Sequence, residues 1–395
     1  MVKDTALDTR VPGDDVLRVT IAPDSIIRIA GAGPSGLTAA IVLANAGHRV
    51  EVFERRNACG ARFGGDLQGL ENWSSPVDVL DELRLLGIPA NFDAAPFSQG
   101  IQTDGRHDDV FRFDRPVFYL VKRGDVAGSL DRGLVHTATA AGVRIRFGQS
   151  CPNRSADIVA TGPRGRAPFA IDAGIVFETD APDCAIALLN DDAAPGGYAY
   201  LLITNGYGCC CTMLFDDFPS IHARLAQVRD VLLNQRGIAV RNPRPVGGLG
   251  HVRAEGEWLD GCAPRVGEAA GLQDFLWGFG IRLAVQSGAL AAGALIQSAD
   301  YRALAQARFG PTLRIGATNR WLWEQGGGGR YSLVRGILRT AGAGRVLRTI
   351  HRDQWWHRLL APIARRSLAS RYPAVFGPLP SKKDNNATAP VASVA

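Results

Sequence analysis

The chain has 395 residues, of which 46% are apolar and 21% charged, with a formal net charge of +6. That composition excludes a disordered or collagen-like protein and is enough to bury one large core or two interleaved ones. Seven cysteines without CxxC spacing point to reduced thiols and no metal site, and no run of about 18 apolar residues is present to span a membrane.

The polar opening MVKDTALDTRVPGDD lacks the apolar core of a signal peptide, so a cytoplasmic location is expected. Residues 1–24 read as an extension with a short strand at Val16 to Ile21. From Ser25 to Arg56 the sequence SIIRIAGAGPSGLTAAIVLANAGHRVEVFERR carries a strand, a glycine turn, a helix and a second strand ending on an acid. Gly31 allows the tight turn, Gly33 lets a pyrophosphate approach the backbone, and Gly36 lets helix and strand pack closely. Pro34 suits the first helical position, and Ser35 completes the fingerprint. Glu54 stands eighteen residues past Gly36, where a carboxylate accepts hydrogen bonds from ribose hydroxyls. With strand, helix and acid all in place, the motif is a dinucleotide site and not a plain glycine turn.

Arg55-Arg56 and NACGARFGGDLQGLENW follow, a glycine-studded loop with Arg62 and Asp66 that either runs back over the nucleotide with a cation near the phosphates or is a surface loop with solvated arginines. A helix is expected from about Pro76 to Leu86, ended by Gly87. Asn91 to Leu120 alternates like an antiparallel sheet distinct from the nucleotide sheet. Ser129 or Asp131 caps a helix bearing Leu130, Leu134 and Ala138, after which Val143 to Phe147 and ADIVATG return as strands. Residues 168–240 are strand-rich and end in a helix at about Ile221 to Gln235. Cys209, Cys210 and Cys211 sit mid-strand, where alternation sends Cys210 to the opposite face. A helix starting near Gly280 and Ile281 carries a small-residue stripe, Ala284, Ser287 and Ala291, suited to close packing.

The positive charge is concentrated. Between Arg330 and Arg371 stand ten arginines and one acid, Asp353, so this stretch carries about +9 and the remainder about −3. Arg345, Arg348 and Arg352 recur at helical spacing, as do Arg335 and Arg339, with Val346, Leu347 and Ile350 on another side and Trp355-Trp356 beyond. Such a segment can lie on an anionic membrane, dock an acidic carrier protein, grip a diphosphate substrate or be a solvated face; nucleic acid is disfavoured because no binding module accompanies the charge.

Three stretches resemble the geranylgeranyl reductase family, within the class of FAD enzymes that includes p-hydroxybenzoate-hydroxylase-like monooxygenases. They are GAGPSG with Glu54, PGGYAYLLI at 195–203, which is similar to a PxxYxWxFP cavity motif, and VGEAAGLQDFLWGFGIRLAVQSG at 266–288. Leu202 and Ile203 replace the Phe and Pro of the second motif, and Glu268 replaces an aspartate in the third. The resemblance implies an α/β fold with a Rossmann-like FAD-binding domain interleaved with an antiparallel substrate sheet, plus a C-terminal helical segment. Its parts would be FAD-binding residues 25–90, 123–165 and 246–300, substrate-sheet residues 91–122 and 166–245, a basic helical region 301–379 and a disordered tail 380–395. It implies FAD, reduced by NAD(P)H or another donor, held by Gly31, Gly33, Ser35, Gly36, Glu54, Arg55, Arg62, Arg123, Glu268, Gly278, Gly280 and Ile281. Tyr198, Tyr200 and Cys59 are the candidate catalytic residues, Tyr198 as acid or orienting group and Tyr200 as a wall. The implied reaction is reduction or desaturation of a carbon–carbon bond in a hydrophobic, isoprenoid or carrier-linked substrate. The alternatives are an FAD monooxygenase using NAD(P)H and O2, which the GPRG turn in place of ADG disfavours, and a flavin-fold protein that only binds a ligand.

Overall fold

The computed structural model describes residues 25–152, 155–163 and 168–376. The expected N-terminal strand, the end of the GPRG turn and the tail from 380 lie outside the described residues.

β1 (Ile26–Ala30) leads through the glycine turn into α1 (Pro34–Asn45) and β2 (Arg49–Glu54). The glycine-studded stretch beyond contains a strand that the sequence reading took as loop, β3 (Leu67–Glu71). Asp78 caps α2 (Val79–Leu85), its carboxylate accepting from Leu80 N. β4 (Ala95–Phe97), β5 (Gln99–Thr103), β6 (Asp108–Arg112) and β7 (Phe118–Lys122) follow. Ser129 caps α3 (Leu130–Ala140), and β8 (Arg144–Phe147) and β9 (Ile158–Val159) come next. The strand-rich centre holds β10 (Ala170–Glu178), β11 (Cys184–Leu188), β12 (Tyr198–Thr204) and β13 (Tyr207–Leu214). α4 (Ile221–Arg229), extended by a wide turn to Asn234, leads to β14 (Arg241–Gly250), a strand absent from the sequence reading. A short hairpin, β15 (Leu259–Asp260) and β16 (Ala263–Pro264), precedes α5 (Ile281–Ile296), α6 (Tyr301–Gln325), α7 (Arg330–Ala341), α8 (Ala343–Ile350), α9 (Trp355–Arg371) and α10 (Pro373–Phe376).

These elements form three main sheets. A parallel sheet runs β8-β2-β1-β9, a seven-stranded sheet runs β14-β10-β13-β12-β11-β5-β6, and a small sheet runs β3-β7-β4. The expected antiparallel stretch 91–120 is therefore shared: β5 and β6 join the large sheet, whereas β4 and β7 pair with β3. β14 spans the expected boundary at 245/246, and its two prolines are tolerated because it is an edge strand.

The largest core lies between the parallel sheet and its helices, with Ile29, Leu37, Ile41 and Val52 fully buried, each contributing about 1.5–3 kcal/mol. α5 packs directly on α1, where a Cβ on Gly288 would stand 2.1 Å from the Ser35 carbonyl oxygen, so only glycine permits the contact. Ser287 and Ala291 of the small-residue stripe are fully buried there.

The basic C-terminal helices are tied to the acids of the sheets. Arg330 pairs with Asp191, Arg335 with Asp104 and Asp109, and Arg339 with Asp109. Arg371 pairs with Asp216 and Glu324, and Arg358 with Asp353. Arg345, Arg348 and Arg352 are exposed. No helix among the described residues is long and apolar enough to cross a membrane.

Candidate functional site

A cavity of about 1150 Å³ runs from the glycine turn, across one face of the seven-stranded sheet, to α7 and α8. At its first end the three glycines have separate duties. A Cβ on Gly31 would stand 2.2 Å from Ala160 O, and one on Gly36 would stand 2.0 Å from Gly31 O, so both answer to packing. A Cβ on Gly33 would meet nothing within 4 Å, and Gly33 lines the cavity. The open cradle at Gly33 lies at the start of α1, whose N-terminus has no side-chain cap. First-turn N–H groups there have no acceptor within the helix, which suits a diphosphate. Glu54 stands at the cavity edge, its carboxylate accepting from Ala32 N at 3.0 Å and Arg56 N at 2.9 Å. Ser35 and Arg55 also line this end.

Further in, the structure joins two residues that lie 206 positions apart: Arg62 pairs with Glu268 at 2.8 Å. Arg123 is buried, donates to Asp131 through Nε at 2.9 Å and Nη2 at 3.1 Å, and donates to Gln68 at 2.9 Å. It stacks over Phe63, and both line the cavity. Gly278 has φ +75°, Gly280 is the N-cap of α5 without side-chain capping, and with Ile281 they close this wall. The donor set and the unfilled cradle fit a dinucleotide with a ring system extending toward the sheet.

The sheet forms the floor of the rest. The register aligns Gln102 with Ala187, Tyr200, Cys211 and Gly174 in one cross-strand row, and Tyr198 with Met213 and Asp172 in the next. Facing partners in such rows share a face of the sheet. Tyr198 and Tyr200 both line the cavity with ring centroids 6.1 Å apart. The Tyr198 hydroxyl donates to the carbonyl of Trp277, whose indole meets Tyr198 edge-on and continues through Trp323 to Tyr331. Burial raises the Tyr198 phenol well above its ordinary value, with the Asp274 carboxylate adding to it. Its hydroxyl proton is thus engaged by the Trp277 carbonyl of the protein itself.

The roof is made by α7 and α8. Val334, Leu338, Val346, Leu347 and Ile350 line the cavity, so the apolar side that the sequence pattern offered to a membrane faces inward. Leu333 and Ile337 line it while remaining 61% and 43% exposed, which marks a mouth.

Cys59 is set apart. It is 4% exposed and does not line the cavity, and its Sγ lies 3.9 Å from Asp125 Oδ1. Burial, with the Asp131 and Asp125 carboxylates, pushes the thiol up to about 11, which favours its protonated form.

Two cavity residues escaped the sequence reading. Asp172 on β10 faces the cavity opposite Gly248, where a Cβ would stand 2.8 Å from Asp172 Oδ1. Burial and the neighbouring Asp66 carboxylate, opposed by Arg62, push its carboxyl up to about 7. Gln102 on β5 is 5% exposed, and its Nε2 has no hydrogen-bond partner among the described residues. Trp277 Nε1 is also buried without a partner on the cavity wall. The signal for Asp172 and Gln102 was face assignment on strands, which needs the register and not the pattern alone.

The model of the NAD(P)-binding Rossmann-like domain family matches residues 29–66. Thiamine thiazole synthase from Thermotoga maritima is 43% identical over 84 residues, which is 19% of this chain and 33% of that protein, so the chain spans a third of that relative's length. Among solved structures, a geranylgeranyl bacteriochlorophyll reductase-like protein from Thermoplasma acidophilum superposes with a TM-score of 0.59 at 16% identity, covering 89% of this chain and 99% of that one. The flavin-dependent brominase Bmp2 gives 0.61 at 15% identity over 88% and 99%. PqsL, a probable FAD-dependent monooxygenase from Pseudomonas aeruginosa, gives 0.58 at 18% identity over 80% and 100%. The chain has the fold of FAD-dependent oxidoreductases, with the expected C-terminal helical segment.

Proposed function

We propose that this chain is an FAD-dependent oxidoreductase that reduces or desaturates a carbon–carbon bond of a hydrophobic substrate. The observation that carries the reading is one continuous cavity joining a dinucleotide cradle to a chamber with apolar walls. Gly33 and the first turn of α1 hold the diphosphate, Glu54 the ribose, and Arg123, Glu268, Gly280 and Ile281 the flavin end. Bound FAD supplies hydride transfer to or from a substrate carbon.

The protein's own residues supply the rest. The roof of α7 and α8 excludes water from the reacting bond. Alkene reduction consumes one proton beside the hydride, and Asp172 lines the cavity with its carboxyl pushed up toward neutrality by burial, where a general acid or base works best. It gives the proton in reduction and takes it in desaturation. Tyr198 fixes the Trp277 loop, and Tyr200 forms the floor between Gln102 and Asp172.

The test is anaerobic photoreduction of the holoenzyme followed by addition of polyprenyl or enoyl compounds. Reoxidation of the flavin by an alkene, with a saturated product, supports the reading. Failure of every alkene, together with substrate-stimulated oxygen uptake under NAD(P)H, assigns monooxygenation instead.

A further inference from the structure

Gln102 poses a question the reaction does not answer. It lines the cavity from β5, is 95% buried, and leaves its Nε2 donors without a partner among the described residues. An unmet buried donor costs about 1–3 kcal/mol, and its neighbours along the cavity floor are small, Ala187 in register on β11 and Gly100 on its own strand. We propose that Gln102 holds a neutral oxygen acceptor of the substrate, so that the substrate is an elongated apolar molecule carrying a carbonyl-type head. This deepens the function proposed above and rests on that cavity being the substrate site.

Charge and distance narrow the class. The register partner of Gln102 on β6 is Asp109, and Asp109 is gripped by Arg335 and Arg339 of α7. Arg335 also pairs with Asp104, and Arg330, from the same helix, pairs with Asp191. Arg330, Arg335 and Arg339 are therefore each engaged by protein carboxylates, which favours a ketone, quinone or ester over a carboxylate or phosphate. Gln102 and Asp172 stand four strand spacings apart, about 19 Å across the floor. A substrate whose head meets Gln102 and whose reacting bond lies near Asp172 is a chain of about that length.

The holoenzyme provides the test, because Trp73, Trp277, Trp323 and Trp356 line the cavity and report occupancy by fluorescence. The probes are a fifteen-carbon methyl ketone, the alkane of equal length and the corresponding carboxylate. The wild type is expected to bind the ketone at least about ten-fold more tightly than the alkane, the worth of one buried hydrogen bond. In Gln102→Leu the preference is expected to fall to about two-fold or less without weakening alkane binding. Should that variant lose its flavin, Gln102→Asn retracts the donor by one methylene and is expected to lose the preference likewise. The proposal is overturned if the wild type shows no preference, binds no probe or favours the carboxylate, or if the variant keeps the preference. Binding is read without turnover, so a chain that reduces no alkene yet shows the Gln102-dependent preference rejects the reaction and keeps the site.

Discussion

Replacing Asp172 with asparagine isolates a cavity carboxyl that burial holds against its ordinary ionisation. Burial first, and then the Asp66 carboxylate, disfavour the charged form and push this carboxyl from its ordinary 3.8 up to about 7. A raised carboxyl contributes stability that is fully present below its unfolded value and is lost as pH rises toward its folded one. Each pH unit is worth 1.36 kcal/mol, so the shift of about three units costs the wild type about 4 kcal/mol above pH 7. Asparagine keeps the shape and removes the charge. Urea unfolding of both flavin-free proteins at pH 5 and pH 8 is the assay. The stability of Asp172→Asn relative to wild type is expected to improve by about 3 kcal/mol between the two pH values, the two units of titration that separate pH 5 from pH 7. A gap that does not change with pH refutes the burial argument. In the holoenzyme the same substitution is expected to remove the limb of the pH–rate profile near neutrality and to slow turnover by about 10²-fold or more.

The glycine turn separates binding from folding: Gly33→Val is expected to fold with unchanged circular dichroism and lose FAD, whereas Gly36→Ala, whose Cβ meets Gly31 O, is expected to lower the melting temperature. Iodoacetamide under native conditions is expected to label the exposed Cys262 and spare the buried Cys59, and Cys59→Ala to retain activity; rapid labelling of Cys59 contradicts its placement. The double variant Arg335→Ala, Arg339→Ala frees Asp109 and is expected to make α7 and α8 the first site of limited proteolysis. We further propose that Arg345, Arg348 and Arg352, with the exposed Trp355, Leu359 and Ile363, meet an anionic membrane surface. Co-sedimentation with anionic liposomes at low salt, lost at high salt, is the expected result, and a protein that stays in the supernatant at low salt refutes it.

The nucleotide half was legible because its signals are local. GAGPSG, the helical stripe and Glu54 lie within thirty residues, and α1, α3, α5 and the strands around them stand where periodicity placed them. The substrate half was legible as strands but not as a site. β14 was hidden because RNPRPVGGLG carries prolines and glycines that an edge strand accepts and a pattern search rejects. β3 was hidden by its glycine and polar residues, which serve a three-stranded sheet. Asp172 and Gln102 are separated by seventy residues and meet one cavity only through the register of five strands. The basic helices misled in a different way: spacing revealed their amphipathic form, but which side is covered depends on Asp104, Asp109 and Asp191, far away in sequence.

The central claim is that the cradle at Gly33 and Glu54 binds FAD. Its most direct test is the absorption spectrum of the purified protein, reconstituted with FAD where needed, with chromatographic identification of the cofactor released on denaturation. One FAD per chain, absent from Gly33→Val, is the expected result. A colourless protein that takes up no FAD and binds a nicotinamide dinucleotide in its place would contradict the account.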